Sequence, residues 1–412
     1  MQNFRMRDYY DIAIIGGGMV GASMAVALSD TSMRVLLLDS SVCSPAPLPE
    51  DYDIRVSAIS VASKYYFQSL GIWSGLQDFR VSPYQQMHIW EKQSGSAIHF
   101  DGAQIGEDVL GYIIENRAIQ YYLLEKARRS GNIDFFDSLS IESCAVRDDR
   151  VKLTLTDDSR ITCGLLVGAD GNRSKVRSLA GIDTKGWKYD QSALVATVGT
   201  ELPHDDTAWQ CFLPDGPLAF LPLADNMCSI VWSAKHHQAQ ELAGLPEDIF
   251  ERQLAEAFDF RLGSIKLCSE RGVFPLQLQY ARQYVKQGVA LIGDAAHSIH
   301  PLAGQGVNLG LLDSASLVDV ILEGARQGKP IGSVALLRRY ERWRKGDNLG
   351  VMFLMDAFKR MFTTEPGPLK SARNAGIELV NSINPIKDMI MKGASGLRGE
   401  LPTMIRDGKL AE

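Results

Sequence analysis

Three short stretches of the chain place glycines and acids at spacings that suit a bound nucleotide. Gly16, Gly18 and Gly21 follow the apolar run Ile12-Ala13-Ile14-Ile15 with the spacing G-x-G-x-x-G. That pattern uses one glycine for a tight turn, one for close backbone approach to a pyrophosphate, and one for packing a helix on its strand. The helix that follows, from Gly21 towards Leu28, offers N–H groups and a dipole to phosphate. The next apolar run, Val35-Leu36-Leu37-Leu38, ends at Asp39, eighteen residues after Gly21. An acid there accepts hydrogen bonds from an adenosine ribose and repels a 2′-phosphate, which points to NAD or FAD without separating them. A capping or solvated carboxylate is the plainer alternative.

The second stretch is Gly168-Ala169-Asp170-Gly171, after the apolar strand Ile161–Val167, although turn chemistry alone accounts for Asp170-Gly171. The third is Gly293-Asp294 after Val289-Ala290-Leu291-Ile292, then the loop His300-Pro301-Leu302-Ala303-Gly304-Gln305-Gly306 and a helix expected from about Val307 to Ala325. N–H groups exposed at that helix start suit a partly negative ligand atom. His297 and His300 lie three apart with no third donor nearby, so no metal site is expected. Arg55, in Asp53-Ile54-Arg55-Val56-Ser57, suits either a pyrophosphate or an ordinary surface ion pair.

These residues need strands and helices to position them. The pattern is strand, turn, helix in all three stretches, which predicts a parallel α/β core. Two regions break it. Met87–Glu91 and Ser96–Phe100 flank Ser94-Gly95 as a hairpin, and residues 192 to 233 carry successive strand signals, which predicts an inserted antiparallel sheet. Trp209, Phe212, Phe220 and Trp232 in that sheet suit either an aromatic pocket or plain core. Residues 113 to 129 have helical spacing, residues 41 to 53 form a proline-broken loop, and the last sixty residues read as helices. Among these, Val351–Phe362 is apolar with two basic residues, fitting packing on the body first and a membrane or partner surface second.

Composition sets the outer bounds. A chain of 412 residues with net charge −6 and no basic stretch argues against nucleic acid as partner. The six cysteines form no C-x-x-C pair, so reduced thiols are expected. No secretory signal pattern and no membrane-length apolar run are visible, which predicts a cytoplasmic protein with at most peripheral membrane contact.

The ordered trio resembles the aromatic-hydroxylase family of FAD-dependent monooxygenases, typified by para-hydroxybenzoate hydroxylase. Gly168–Gly171 with Ser174 and Arg177 matches that family's DG motif and Gly293-Asp294 its GD motif. Within it, His300 to Asp313 is similar to the signature of the ubiquinone-biosynthesis hydroxylases. Arg55–Ile59, Ala193–Thr197, Leu218–Leu223 and Cys228–Ser233 are most similar to the member that hydroxylates C5 of a polyprenylphenol. Trp209-Gln210 with Pro214–Pro217 leans instead towards the demethoxyubiquinone C6-hydroxylase.

The resemblance implies an α/β fold: an FAD-binding Rossmann-like domain of para-hydroxybenzoate hydroxylase type, an inserted antiparallel substrate sheet and C-terminal helices. Its expected parts are 1–73, 106–182 and 276–345 for the FAD-binding domain, 74–105 and 183–275 for the substrate domain, and 346–412 for the helical region. It implies that Gly16, Gly18, Gly21 and Asp39 hold the ADP half of FAD and Arg55 its pyrophosphate or ribityl region. Gly293 and Asp294 would serve the ribityl hydroxyls or pyrophosphate, and Asp170 both FAD and a nicotinamide. His300, Pro301, Gly304, Gln305, Gly306, Val307 and Asn308 would lie along the isoalloxazine. The implied chemistry is reduction by NAD(P)H, addition of O2 at C4a and hydroxylation of a phenol ring by the hydroperoxide, with no catalytic side chain identified. It also implies a greasy tunnel for a polyprenyl chain, and it allows a quinone-biosynthetic complex as partner. A halogenase or quinone-linked dehydrogenase on the same fold, and a non-catalytic flavoprotein subunit, are the competing readings; the halogenase W-x-W is absent.

Overall fold

The computed structural model describes residues 6–43, 48–92, 96–147, 149–298, 305–363 and 391–410. Within these, side chains at 105, 188, 189, 305 and 353–363 are left aside. His300, Pro301 and Gly304, and the Ser94-Gly95 turn, lie outside the described residues, as do 364–390 of the C-terminal region.

The first sheet grows outward from the strand Tyr9–Ile15, whose inner residues are fully buried. A near-continuous apolar run suits a strand covered on both faces. It pairs in parallel with Val35–Leu38 on one side and Arg160–Gly168 on the other. Val289–Leu291 extends the sheet beyond Arg160–Gly168, and Ile133–Phe136 extends it beyond Val35–Leu38, both in parallel. The three sequence motifs therefore leave adjacent parallel strands at the same end, where α/β sheets bind ligands.

The second sheet has nine strands, built around Thr184–Thr200. It is antiparallel with one exception: Thr207–Leu213 runs parallel to Gln86–Glu91, where the hairpin Gln86–Glu91/Ala97–Asp101 docks onto it. The expected purely antiparallel insert is corrected at this junction. Two separate excursions of the chain meet there, and separate excursions are free to meet in either direction. A three-stranded sheet, Val56–Ser60, Gly111–Glu115 and Ser82–Tyr84, bridges the two larger ones.

Alternation fixes the two faces of the second sheet. Leu194, Ala196 and Val198, with Cys228, Ile230 and Trp232, pack into one core together with Phe250, Leu254 and Phe258. Phe220 lies in the same core, Trp209 is packed against it, and Phe212 is buried in its own right. The four aromatic residues are thus interior, and the pocket alternative is set aside. The opposite face carries Ala193, Val195, Ser229 and Val231 towards the first sheet.

Two helical boundaries differ from the sequence reading. Residues 113 to 129 divide into the strand Gly111–Glu115 and the helix Asn116–Arg129. Gly111 is crowded by Ile59 O and the Tyr84 ring, so the apolar start of that stretch pairs in a sheet instead of coiling. The helix expected from Val307 runs Gln305–Arg326, and a second long helix follows at Val334–Thr363.

Candidate functional site

A cleft of about 370 Å³ opens between the first sheet's carboxyl ends and the second sheet. Gly18, Arg55, Ala169, Gly171, Asp294 and Gly306 contribute to its first wall. All three sequence motifs therefore reach one place.

The first helix, Met19–Ala27, begins at Gly18 with no side-chain cap and no acid in its first turn. Its N–H groups and dipole are left for a ligand. The three glycines act differently. Gly16 has φ of +111°, and a Cβ there would stand 2.3 Å from Ala169 O. A Cβ on Gly21 would stand 1.9 Å from Gly16 O, so its absence lets the helix press onto the turn. A Cβ on Gly18 meets nothing within 4 Å, because that position faces the cleft. This is the open cradle a diphosphate requires, and the residues present fit the ADP half of FAD.

Asp39 is partly engaged already. Gly17 N–H donates to its Oδ2 at 2.6 Å and Ser41 N–H to its Oδ1 at 2.8 Å. These bonds fix the carboxylate beside the turn, and each oxygen retains a lone pair. Asp170 departs from its expected direct role: Ser174 Oγ (2.5 Å), Lys175 N–H (2.7 Å) and Val176 N–H (3.0 Å) all donate to its carboxylate. Its carboxylate takes the first two N–H groups of the short helix Lys175–Leu179, whose cap is Ser174, while Ala169 and Gly171 line the cleft. Arg177 then ties this turn to the third motif by donating to Ala295 O at 2.9 Å.

Asp294 lines the cleft with its side chain exposed there, while the protein packed around it raises its carboxyl pKa above the usual range, against the pull of His297 and Arg55. Arg55 lies on the same wall, its guanidinium 5.7 Å from the centre of the Phe274 ring.

The turn bearing Asp294 is braced from behind. Asp313, fully buried, accepts from His297 Nε2–H at 2.5 Å, Gly293 N–H at 3.2 Å, Arg344 Nε–H at 3.0 Å and Asn348 Nδ2–H at 3.0 Å. Burial alone would raise its pKa; His297, Arg344 and Asn348 outweigh burial and hold it below the usual value. Among the described residues no cluster of three potential metal ligands occurs, and His297 serves this brace.

Gly306 and Val307 open the helix Gln305–Arg326 onto the cleft. Asn308 does not turn its side chain there. Its Nδ2–H donates to Ala58 O at 2.8 Å, and its Oδ1 accepts from Ser60 N–H and Ser63 Oγ–H at 2.9 and 2.8 Å. The amide is a bracket between that helix and the strand Val56–Ser60, which directly follows Arg55.

Three polar residues were not singled out from the sequence. Ser57 Oγ–H donates to Asn116 Oδ1 at 2.6 Å, and both line the cleft. Gln120 donates to Gly17 O at 2.9 Å and steadies the glycine turn. The available signal was the position of Asn116 at a strand end entering a helix.

The profile of a family described as FAD binding domain matches residues 9–346. The chain is 36% identical over 387 residues to the 3-demethoxyubiquinol 3-hydroxylase of Escherichia coli (strain K12), covering 94% of this chain and 98% of that one. It is 36% identical over 434 residues to the mitochondrial ubiquinone biosynthesis monooxygenase COQ6 of Mus musculus, covering 94% and 91%. In structure it is similar to the p-nitrophenol 4-monooxygenase PnpA of Pseudomonas putida, with TM-score 0.77, 17% identity and coverage of 96% and 100%, a likeness of fold.

Proposed function

The chain belongs to the FAD-binding family of flavin monooxygenases that includes ubiquinone-biosynthesis hydroxylases, and on that premise we propose that it hydroxylates C5 of a neutral polyprenylphenol in quinone biosynthesis. It is an FAD-dependent aromatic-ring monooxygenase, of a family that uses NAD(P)H and O2. The carrying observation is one cleft with a glycine-and-acid wall opposite an apolar sheet wall of Ala193, Val195, Val231 and Leu276.

FAD, when bound, supplies the reductive activation of O2 for transfer to the ring. The chain's own residues do the rest. The uncapped helix start at Gly18 holds the diphosphate, Asp39 accepts from the adenosine ribose, and Arg55 neutralises phosphate charge. Asp294 accepts from ribityl hydroxyls, and the helix start at Gly306 and Val307 turns N–H groups to the flavin's electron-accepting edge. His300, Pro301, Gly304 and Gln305 belong beside the ring in this reading. Asp170 and Gly293 act by shaping their turns. The apolar sheet wall keeps water from the reacting centre.

The substrate class rests on the relatives and on the apolar residues of the sheet wall, Ala193, Val195, Val231 and Leu276. A second reading, hydroxylation at the demethoxyubiquinol position, is favoured by the 36%-identical E. coli relative, which carries that activity in its name. Complementation of strains lacking either ring hydroxylase, with quinone intermediates identified by mass spectrometry, distinguishes the two. Restored quinone only in the C5-deficient strain supports the proposal; rescue of the other strain alone sinks it. No helix of the described residues is long and apolar enough to cross a membrane. The apolar and basic stretch 351–362 supports peripheral contact with a membrane or a quinone-biosynthetic complex, tested by vesicle flotation and co-purification.

A further inference from the structure

The helix Val61–Ser69 has nine residues, too few to stand alone in water, so its neighbours decide whether it forms. It is gripped on two faces. Ser63 and Tyr66, three apart, turn to the helix Gln305–Arg326: Ser63 Oγ–H donates to Asn308 Oδ1 at 2.8 Å, and the Tyr66 hydroxyl meets Ser314 Oγ at 2.8 Å. Ala62, Tyr65 and Ser69 turn instead to the C-terminal segment 391–410.

Contact on that second face is close along the whole helix. Ala62 N–H, a first-turn donor with no partner inside the helix, donates to Ser395 O at 3.0 Å, and Ser63 N–H donates to Ser60 Oγ at 3.3 Å. Gly396 has φ of +74°, and a Cβ there would stand 2.9 Å from Ala62 Cβ and 3.4 Å from Ser60 Oγ. Further on, a Cβ on Gly408 would stand 2.0 Å from Tyr65 O, and Ser69 Oγ–H donates to Met404 O. The segment has anchors of its own: Ile405 is fully buried in the first sheet's core, and Thr403 N–H donates to Asp319 Oδ2 at 2.7 Å. Ser60 and Ser63 are therefore held from one side by Ser395 and Gly396 and from the other by the Asn308 amide. Gly306 and Val307, the residues just before Asn308, line the cleft.

We propose that the segment 391–410 is a strap that positions the flavin-ring end of the cofactor site. It caps and covers the helix Val61–Ser69, that helix holds the Asn308 bracket, and the bracket sets the helix start at Gly306 and Val307. Ser395 and Gly396 are positioning residues, acting through Ser60, Ser63 and Asn308. The diphosphate cradle at Gly18 lies outside this chain of contacts, its turn steadied by Asp39 and Gln120. The inference rests on the FAD-hydroxylase reading, in which Gly306 and Val307 serve the ring and Gly18 the diphosphate.

Calorimetric titration of the flavin-free full chain with FAD and with ADP separates the two ends, since ADP reaches only the cradle. Gly396→Ala should weaken FAD about tenfold and leave ADP within about twofold, because a frame that must be ordered on binding draws its cost from the affinity. Thr403→Pro removes the Asp319 anchor at a first helical position, which tolerates proline. It should weaken FAD about threefold with ADP unchanged, and it carries the test if Gly396→Ala does not fold. Leu153→Ala, buried in the strand Arg150–Leu155, should lower the melting temperature and keep the ratio of FAD to ADP affinity. Equal losses of FAD and ADP, no loss of FAD, or the same change of ratio from Leu153→Ala overturn the strap while the hydroxylase reading stands. A parent protein that binds FAD no more tightly than ADP overturns the placement of the ring at Gly306 and Val307, and the strap with it.

Discussion

The two walls of the cleft are built under opposite rules. On the motif wall, Asp313 accepts four hydrogen bonds, Asp170 three, and the Asn308 amide makes three. Its open backbone position is Gly18, where the helix start has no side-chain cap, and Gly306 and Val307 line the same cleft. On the sheet wall the backbone is committed to strands, and the lining side chains, Ala193, Val195, Val231 and Leu276, are apolar. A ligand that never changes can be held by a rigid, satisfied frame. A ring that must lie flat against its reaction partner is held by an apolar surface.

The largest expected effect compares two glycines of one motif. Gly16→Val should cost more than about 4 kcal/mol and abolish flavin retention, since φ of +111° and contact with Ala169 leave no room. Gly18→Ala should leave unfolding within roughly 0.5 kcal/mol of the parent while weakening FAD, because its Cβ enters only the cleft. Urea unfolding of the flavin-free protein and FAD titration measure the pair. Equal destabilisation by both would erase the distinction between frame and cradle.

Next is the brace. Asp313→Asn removes the buried charge opposite Arg344, which keeps Asn348 and the more exposed Asp347, so the cost should approach the roughly 3–5 kcal/mol of a broken buried pair without exceeding it. The Asp313 carboxyl has a lowered folded pKa, so its stabilisation is present above the ordinary carboxylate range and lost as pH falls through the folded value. The variant should flatten the acid side of the stability profile, read by urea midpoints across pH. Asp294→Asn should act in the other direction. Its folded pKa is raised but its side chain is exposed to the cleft, so removing the charge should stabilise the flavin-free form only slightly, at pH above the ordinary carboxylate range. FAD affinity should nevertheless fall about tenfold. The smallest effect belongs to the sheet wall: Val231→Leu should change stability by less than about 1 kcal/mol and leave FAD affinity intact. It should still raise KM for the phenol, measured in steady-state turnover.

The same contrast governs what could be read from the sequence. Gly16, Gly18, Gly21, Asp39 and Asp294 stand at spacings set by one ligand's dimensions, and the fold brings them to one cleft or its supporting turns. Asn308 and Asp170 lie in the same motifs yet turn their side chains to the frame, because a motif records position and leaves side-chain direction open. Trp209, Phe212, Phe220 and Trp232 stood out by size, but both faces of this sheet are buried, so composition could not say which face met the cleft.

The pairing of Tyr9–Ile15 with Arg160–Gly168 also sets a schedule for the nascent chain. Synthesis at about 5–20 residues per second leaves one edge of that first strand bare for roughly ten to thirty seconds. The hairpin Gln86–Asp101 waits similarly for Thr207–Leu213, so two apolar edges are exposed together on the ribosome. Chaperone demand during translation is thereby written into the interleaved order of the two sheets.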